Sequence, residues 1–151
     1  YRLVTRKMIH PSYADDFNCY ICSRNRKRIL FEQAKVLGIK KIALGHHLDD
    51  VVETTLMNLF FKGEIATMMP VQDFFDGEIS IIRPMSEVYE REIARVAREM
   101  KLPVVTSCCP RLETSKRGMI KEMVKQLSRV NRKVRENIYR APGRINHDYI
   151  P

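Results

Sequence analysis

Cys19-Tyr20-Ile21-Cys22 and the distant pair Cys108-Cys109 are the residues whose types and spacing most invite chemistry. If the two groups meet in space they offer three usable thiolates, because adjacent cysteines rarely both reach one metal with relaxed side chains. Three thiolates suit an iron–sulfur cluster that keeps one iron open. A structural zinc needs a fourth ligand, available from the other cysteine of the pair or from His10, His46 or His47. A dithiol that carries sulfur as a persulfide also fits, and inert buried cysteines are the plain alternative.

A second constellation is Gly45-His46-His47-Leu48-Asp49-Asp50, which follows a short apolar run. In an open parallel sheet, ligands bind where loops leave the carboxyl ends of strands, and a strand-to-helix turn stands there. The glycine lets a ligand approach the backbone closely, and Asp49 and Asp50 could hold a magnesium ion or its waters. Asp at a helix start also has an ordinary use in offsetting the helix dipole, and a histidine is often simply packed.

Cations form the third pattern. Arg24, Arg26, Lys27 and Arg28 fall in the first turns of an expected helix, where the dipole disfavours positive charge. They are either solvated or wait for a phosphate, a nucleic acid or an anionic sulfur centre. Arg117, Lys121, Lys125 and Arg129 recur every four residues, which lines them into a stripe on one helix face suited to a nucleic-acid backbone. Such contacts position a nucleic acid without reading its bases.

These residues must be held by elements that the apolar pattern foretells. Ile29, Leu30, Ala34 and Leu37 predict a helix over Ser23–Leu37, started by Ser23 and closed by Gly38. A buried strand is expected at Lys41–Leu44 and a helix from about Asp49 to Lys62, with Val52, Leu56, Leu59 and Phe60 inward and Gly63 at its end. A less regular stretch precedes a strand at Glu78–Ile82, the Arg83-Pro84 turn and a helix whose inner face is Tyr89, Ile93, Val96, Ala97 and Met100. Further strands are expected at Tyr1–Met8 and Pro103–Thr106, and a basic helix from Glu113 to about Tyr139, followed by a loosely ordered tail. The alternation argues for an α/β fold, a parallel sheet with helices on both faces. Residues 1–112 form the α/β domain with the cysteine site, and 113–151 a basic helix and tail packed on it.

Composition bounds the rest. A chain of 151 residues, 44% of them hydrophobic, can bury one core. The net charge of +9 points to a phosphate-rich partner, and the ten basic residues between Lys116 and Arg144, against two acids, carry nearly all of it. No apolar stretch approaches the roughly 20 residues that span a bilayer. No membrane partner is therefore expected. With grouped rather than dispersed cysteines, the expected compartment is the cytoplasm. A chain that begins at Tyr1 and enters an apolar run at once reads as N-terminally incomplete.

With these residues in view, the chain resembles the tRNA 2-thiocytidine synthetases and their thiouridine relatives, members of the ATP-pyrophosphatase (PP-loop) superfamily. The resemblance rests on Cys19-Tyr20-Ile21-Cys22-Ser23-Arg24, on Ile42-Ala43-Leu44-Gly45-His46-His47-Leu48-Asp49-Asp50, on Ile82-Arg83-Pro84-Met85, and on a cysteine ahead of a basic helix containing Arg117. It implies an adenine-nucleotide-alpha-hydrolase-like, Rossmann-like fold. It also implies an enzyme that adenylylates a tRNA base with ATP and delivers sulfur at a three-cysteine [4Fe-4S] cluster. On that resemblance Cys19, Cys22 and Cys109 are the cluster ligands, Cys109 keeping the better spacing to Arg117 than Cys108. Gly45, His46, His47, Asp49 and Asp50 line the site for ATP and Mg2+, with Asp50 in activation. Arg24, Arg26 and Lys27 lie between cluster and substrate, and Arg117, Lys121, Lys125 and Arg129 meet tRNA. The superfamily's Ser-Gly-Gly-x-Asp-Ser loop is missing from these residues, so this polypeptide alone is expected to bind ATP weakly. The sulfur donor is unspecified and a homodimer stays open. A cluster-free relative acting on another base, or a zinc-containing RNA-binding module, are the alternatives.

Overall fold

The computed structural model describes Thr5, residues 18–105 and residues 115–149. The strand expected at Tyr1–Met8 (Thr5 apart), His10, Thr106, Cys108 and Cys109 lie outside the described residues. The chain divides into two compact units.

The first unit holds helix α1 (Cys19–Val36), strand β1 (Lys41–Ala43) and the hairpin of β2 (Val71–Phe74) and β3 (Ile79–Ile82). α1 starts one turn earlier than its apolar pattern suggests. Asn18, rather than Ser23, is its cap, its Oδ1 accepting the Ile21 N–H at 3.1 Å. The helix closes through Gly38 at φ 66°, where the Ile39 N–H reaches Ala34 O at 2.8 Å.

The sheet has three strands in the order β1-β3-β2. β1 and β3 are parallel, with Ile42 opposite Ile81, whereas β2 and β3 are antiparallel, with Gln72 opposite Ile81. The α/β class therefore stands, with a mixed rather than wholly parallel sheet. The antiparallel strand comes from the stretch expected to be irregular. Phe75, Asp76 and Gly77 all take positive φ and turn the chain back on itself, and Asp76-Gly77 is the signal that foretells such a turn.

The second unit comprises Gly45–Pro70 and the described residues from Arg83 onward. It contains helices α2 (Leu48–Lys62), α3 (Glu90–Glu99), α4 (Lys116–Val130) and α5 (Val134–Arg140). Its core is Leu48, Val52 and Leu56 of α2 against Ile120 and Val124 of α4, flanked by Met57, Tyr89, Met123, Ile138 and Tyr139. Each such aliphatic side chain contributes about 1.5–3 kcal/mol on burial. α2 ends as expected at Gly63, in left-handed geometry.

Two expectations are corrected here. The basic helix expected from Glu113 to Tyr139 is two helices, because Asn131 leaves helical geometry (φ −135°, ψ 112°) and its side chain accepts the Lys133 N–H. Pro103 to Val105 form no strand, and Val104 and Val105 are 76% and 91% exposed. The apolar pattern there lacks a neighbouring strand among the described residues to complete a ladder. In α3 the expected inner face is only partly covered, with Ile93 and Ala97 half-buried and Val96 and Met100 exposed. Short 3-10 turns at Ala141–Gly143 and His147–Tyr149 order the tail.

Candidate functional site around the start of helix α2

His47, not an aspartate, caps α2. Its Nδ1 faces the Asp50 N–H at 3.4 Å, and Asp50 Oδ2 accepts the His47 N–H at 3.1 Å, a reciprocal arrangement that satisfies two helix-end donors. His47 Nε2 also lies 3.3 Å from Asp50 Oδ2. The Leu48 N–H donates to Val88 O at 2.9 Å, which ties the start of the helix to the turn after Arg83-Pro84.

The two aspartates differ. Asp49 Oδ1 accepts Arg135 Nε–H at 2.6 Å and Asp49 Oδ2 accepts the Glu90 N–H at 2.8 Å. Both of its oxygens are thus engaged by protein. Asp50 is 17% exposed, and its Oδ1 faces Arg117 Nη1 at 3.3 Å.

One turn on, Glu53 is 7% exposed and lies 3.5 Å from Arg117 Nε. Burial pushes its carboxyl up to about 7, Arg117 and Lys121 pulling the other way and Asp50 and Glu90 adding to the rise. Lys121 grips Glu90 with its ammonium 3.0 and 2.8 Å from the two carboxylate oxygens. Burial alone would lower the Lys121 pKa, but the bond to Glu90 and the surrounding carboxylates raise it.

His46 accepts Arg83 Nε–H at its Nδ1, 3.2 Å away. Burial lowers the His46 pKa, outweighing the rise from Asp50, and Arg83, Arg117 and His47 lower it further. The imidazole is therefore neutral at neutral pH, as the bond requires. Arg83 itself is only 5% exposed and its N–H donates to Pro70 O at 2.8 Å. Gly45 does not use the left-handed region, and a Cβ there would meet only Met85 Cε at an ordinary 3.6 Å. Neither backbone geometry nor packing demands glycine at this position.

The remaining residues singled out in the sequence fall as follows. Cys19 and Cys22 are free thiols in the first turn of α1, one exposed and one half-buried. The proposed third ligand, Cys109, is outside the described residues, and no group of three metal-ligating side chains forms among the described ones. Arg24, Arg26 and Lys27 are exposed on α1, with Lys27 Nζ over the Phe74 ring. Arg117, Lys121, Lys125 and Arg129 are all exposed along α4, but Lys125 faces Glu122 at 3.5 Å, and Arg117 and Lys121 are paired as above. Sequence reasoning missed these partners, Glu53 and Glu90. Glu53 had a signal, since it lies on the same α2 face as the aspartates three and four residues before it.

Residues 21–127 match the family model of the PP-loop domain. The chain belongs to the PP-loop family. This PP-loop chain is 41% identical over 134 residues to the tRNA-cytidine(32) 2-sulfurtransferase of Geobacter sulfurreducens, covering 87% of this chain and 52% of that protein. It is 43% identical to the enzyme of the same name from Geobacter metallireducens, again covering 87% and 52%. The match to the Ralstonia nicotianae enzyme of that name is 38% identical and covers 85% of this chain and 38% of the relative. The PP-loop chain thus spans about half the length, or less, of the curated relatives it matches. Among solved structures, the U34-tRNA thiolase NcsA from Methanococcus maripaludis with its [4Fe-4S] cluster superposes with a TM-score of 0.68 at 22% identity, over 89% of this chain and 45% of that one. At that identity the likeness speaks for the fold. Among the described residues no helix is long and apolar enough to cross a membrane.

Proposed function

We propose that this PP-loop chain belongs to a cytoplasmic ATP-dependent tRNA sulfurtransferase of the 2-thiocytidine type. Its partners are tRNA, ATP with Mg2+, and a sulfur donor. The observation that carries the reading is the carboxylate of Asp50, held in the first turn of α2, with Gly45 in the turn that leads into that helix at a position where neither packing nor backbone geometry requires glycine. Such a glycine suits close approach of a nucleotide.

In this reaction the carbonyl oxygen of the base attacks the α-phosphorus of ATP, and the bond to pyrophosphate breaks. A sulfide nucleophile then adds to the activated carbon, and AMP leaves with the oxygen. Gly45, His46 and His47 line the nucleotide site and Asp50 acts in activation. Asp49, bonded to Arg135 and Glu90 at 2.6 and 2.8 Å, holds the site's frame, and Asp50, whose two oxygens make longer contacts at 3.1 and 3.3 Å, is the aspartate that takes Mg2+ or its waters.

Cys19, Cys22 and Cys109 would hold a [4Fe-4S] cluster, which when bound supplies the sulfur-handling centre. The donors described fit it. Cys19 and Cys22 are unbridged and one helical turn apart, at a helix start with no acid in its first turn and with Arg24, Arg26 and Lys27 close behind. An anionic centre is favoured at such an end. Arg24, Arg26 and Lys27, together with Lys125 and Arg129 at the far end of the α4 stripe, supply positive charge for the tRNA backbone.

The test is the iron, acid-labile sulfide and zinc content of the full-length protein purified without oxygen, beside Cys109→Ala. About four irons per chain, lost in the variant, is the expected result. Zinc without iron would overturn the sulfur-delivery reading and favour a zinc-containing RNA-binding module or a cluster-free relative.

A further inference from the structure

Arg117 was read from the sequence as the first member of a stripe that follows a nucleic-acid backbone. Its surroundings give it other work. Nη1 faces Asp50 Oδ1 at 3.3 Å, Nη2 faces Thr54 Oγ1 at 3.3 Å, and Nε lies 3.5 Å from Glu53 Oε2. Each of the three guanidinium nitrogens thereby faces a polar group on consecutive turns of α2. A planar fork with fixed donor directions can hold three acceptors in one arrangement, which a lysine cannot.

α4 is itself anchored on α2 by Ile120 and Val124, so the base of the Arg117 side chain is set by the core. Four residues along, Lys121 is occupied by Glu90, which leaves the far end of the stripe, Lys125 and Arg129, the better placed for phosphate. On the other side Asp50 is held by the His47 N–H at Oδ2. With Arg117 on Oδ1, its carboxylate is fixed at both oxygens in the plane that the helix start and the guanidinium define.

We propose that Arg117 is a positioning residue for Asp50: by clasping Asp50, Thr54 and Glu53 together it sets the orientation of the Asp50 carboxylate, and it is not a phosphate contact of the tRNA. The role rests on the reading of Asp50 given above. Removing the clasp leaves Asp50 its His47 bond but frees Oδ1 to rotate, and leaves Glu53 without its nearest cation.

The experiment uses the full-length protein, its Arg117→Gln and Arg117→Lys variants, and a Lys125→Gln, Arg129→Gln variant for comparison. Arg117→Gln is expected to bind tRNA with unchanged affinity and unchanged salt slope, while turnover at saturating tRNA falls by about 100-fold, the scale of a misplaced reacting group. Arg117→Lys restores only part of it. The comparison variant weakens tRNA binding instead, its salt slope becoming shallower by about one per cation removed. If Arg117→Gln itself flattens the slope by about one and turns over normally at saturation, Arg117 is a phosphate contact and the proposal falls.

A second arm needs no activity. In a double-mutant cycle of Asp50→Asn and Arg117→Gln, read on urea unfolding, the two changes are expected to be coupled, Arg117→Gln costing much less once Asp50 is Asn. Strict additivity would overturn the clasp. If the unaltered protein thiolates no tRNA, the function reading fails separately and the cycle still decides the clasp.

Discussion

Arg135 Nε stands 2.6 Å from Asp49 Oδ1, across 86 residues of sequence, and joins the start of α2 to α5. The other oxygen of Asp49 holds the first N–H of α3. One aspartate of the Asp49-Asp50 pair is therefore a three-element bracket, and the other faces a histidine and an arginine at the head of the helix.

Asp49→Asn should accordingly act on stability first. Losing the charge opposite a half-covered arginine costs about 1–3 kcal/mol, seen as a lower urea midpoint with an unchanged m-value. Asp50→Asn should shift the midpoint less and turnover more. An Asp49→Asn protein as stable as its parent would contradict the bracket.

Glu53 supplies a pH dependence with a definite sign. Burial raises its folded-state pKa to about 7, well above the ordinary carboxylate range, so the folded protein holds this proton more tightly than the unfolded chain does. Its stabilising share is complete below the unfolded pKa and is lost as pH rises through about 7. Glu53→Gln should flatten the decline of stability between the two values. An equally steep decline in the variant would show that another group is responsible.

His46 carries the opposite sign. Its pKa is lowered by burial, against a pull from Asp50, so its stabilising share is present above the ordinary histidine range and is lost as pH falls below it. Protonation also removes the acceptor that Arg83 uses. Arg83→Met leaves the His46 nitrogen unpaired in a half-buried place and should cost about 1 kcal/mol at neutral pH. NMR of the His46 ring should show it neutral at pH 7 in the parent. A cationic ring there would refute the assignment.

Lys125→Glu with Arg129→Glu should weaken tRNA binding and make its dependence on salt shallower. Filter binding across a salt series reads both. An unchanged slope would mean that this end of α4 is merely solvated.

The parts of the molecule that could be read from sequence are those fixed by near neighbours. Lys41–Ala43 and Leu48–Lys62 follow from a short apolar run, a polar helix start and a closing Gly63, all within a few residues of one another. The β2–β3 hairpin was hidden because Val71-Gln72-Asp73 is exposed and lacks a continuous apolar face, although Asp76-Gly77 marked its turn. The break between α4 and α5 was hidden for a different reason. The cations continue through Asn131 without interruption, and composition does not register a single residue leaving helical geometry. At the site, the importance of Asp49 and Asp50 was legible from their place at the helix start. Their division of labour was not, since Arg135 and Arg117 are 86 and 67 residues away and nothing local specifies those pairings.

The most direct test of the central claim is mass spectrometry of nucleosides from tRNA incubated anaerobically with the full-length protein, ATP, Mg2+ and sulfide. The expected product is 2-thiocytidine, formed only with ATP present and lost with Asp50→Asn. An unmodified nucleoside profile with protein whose iron and labile sulfide are intact would contradict the assignment of this chain to tRNA thiolation.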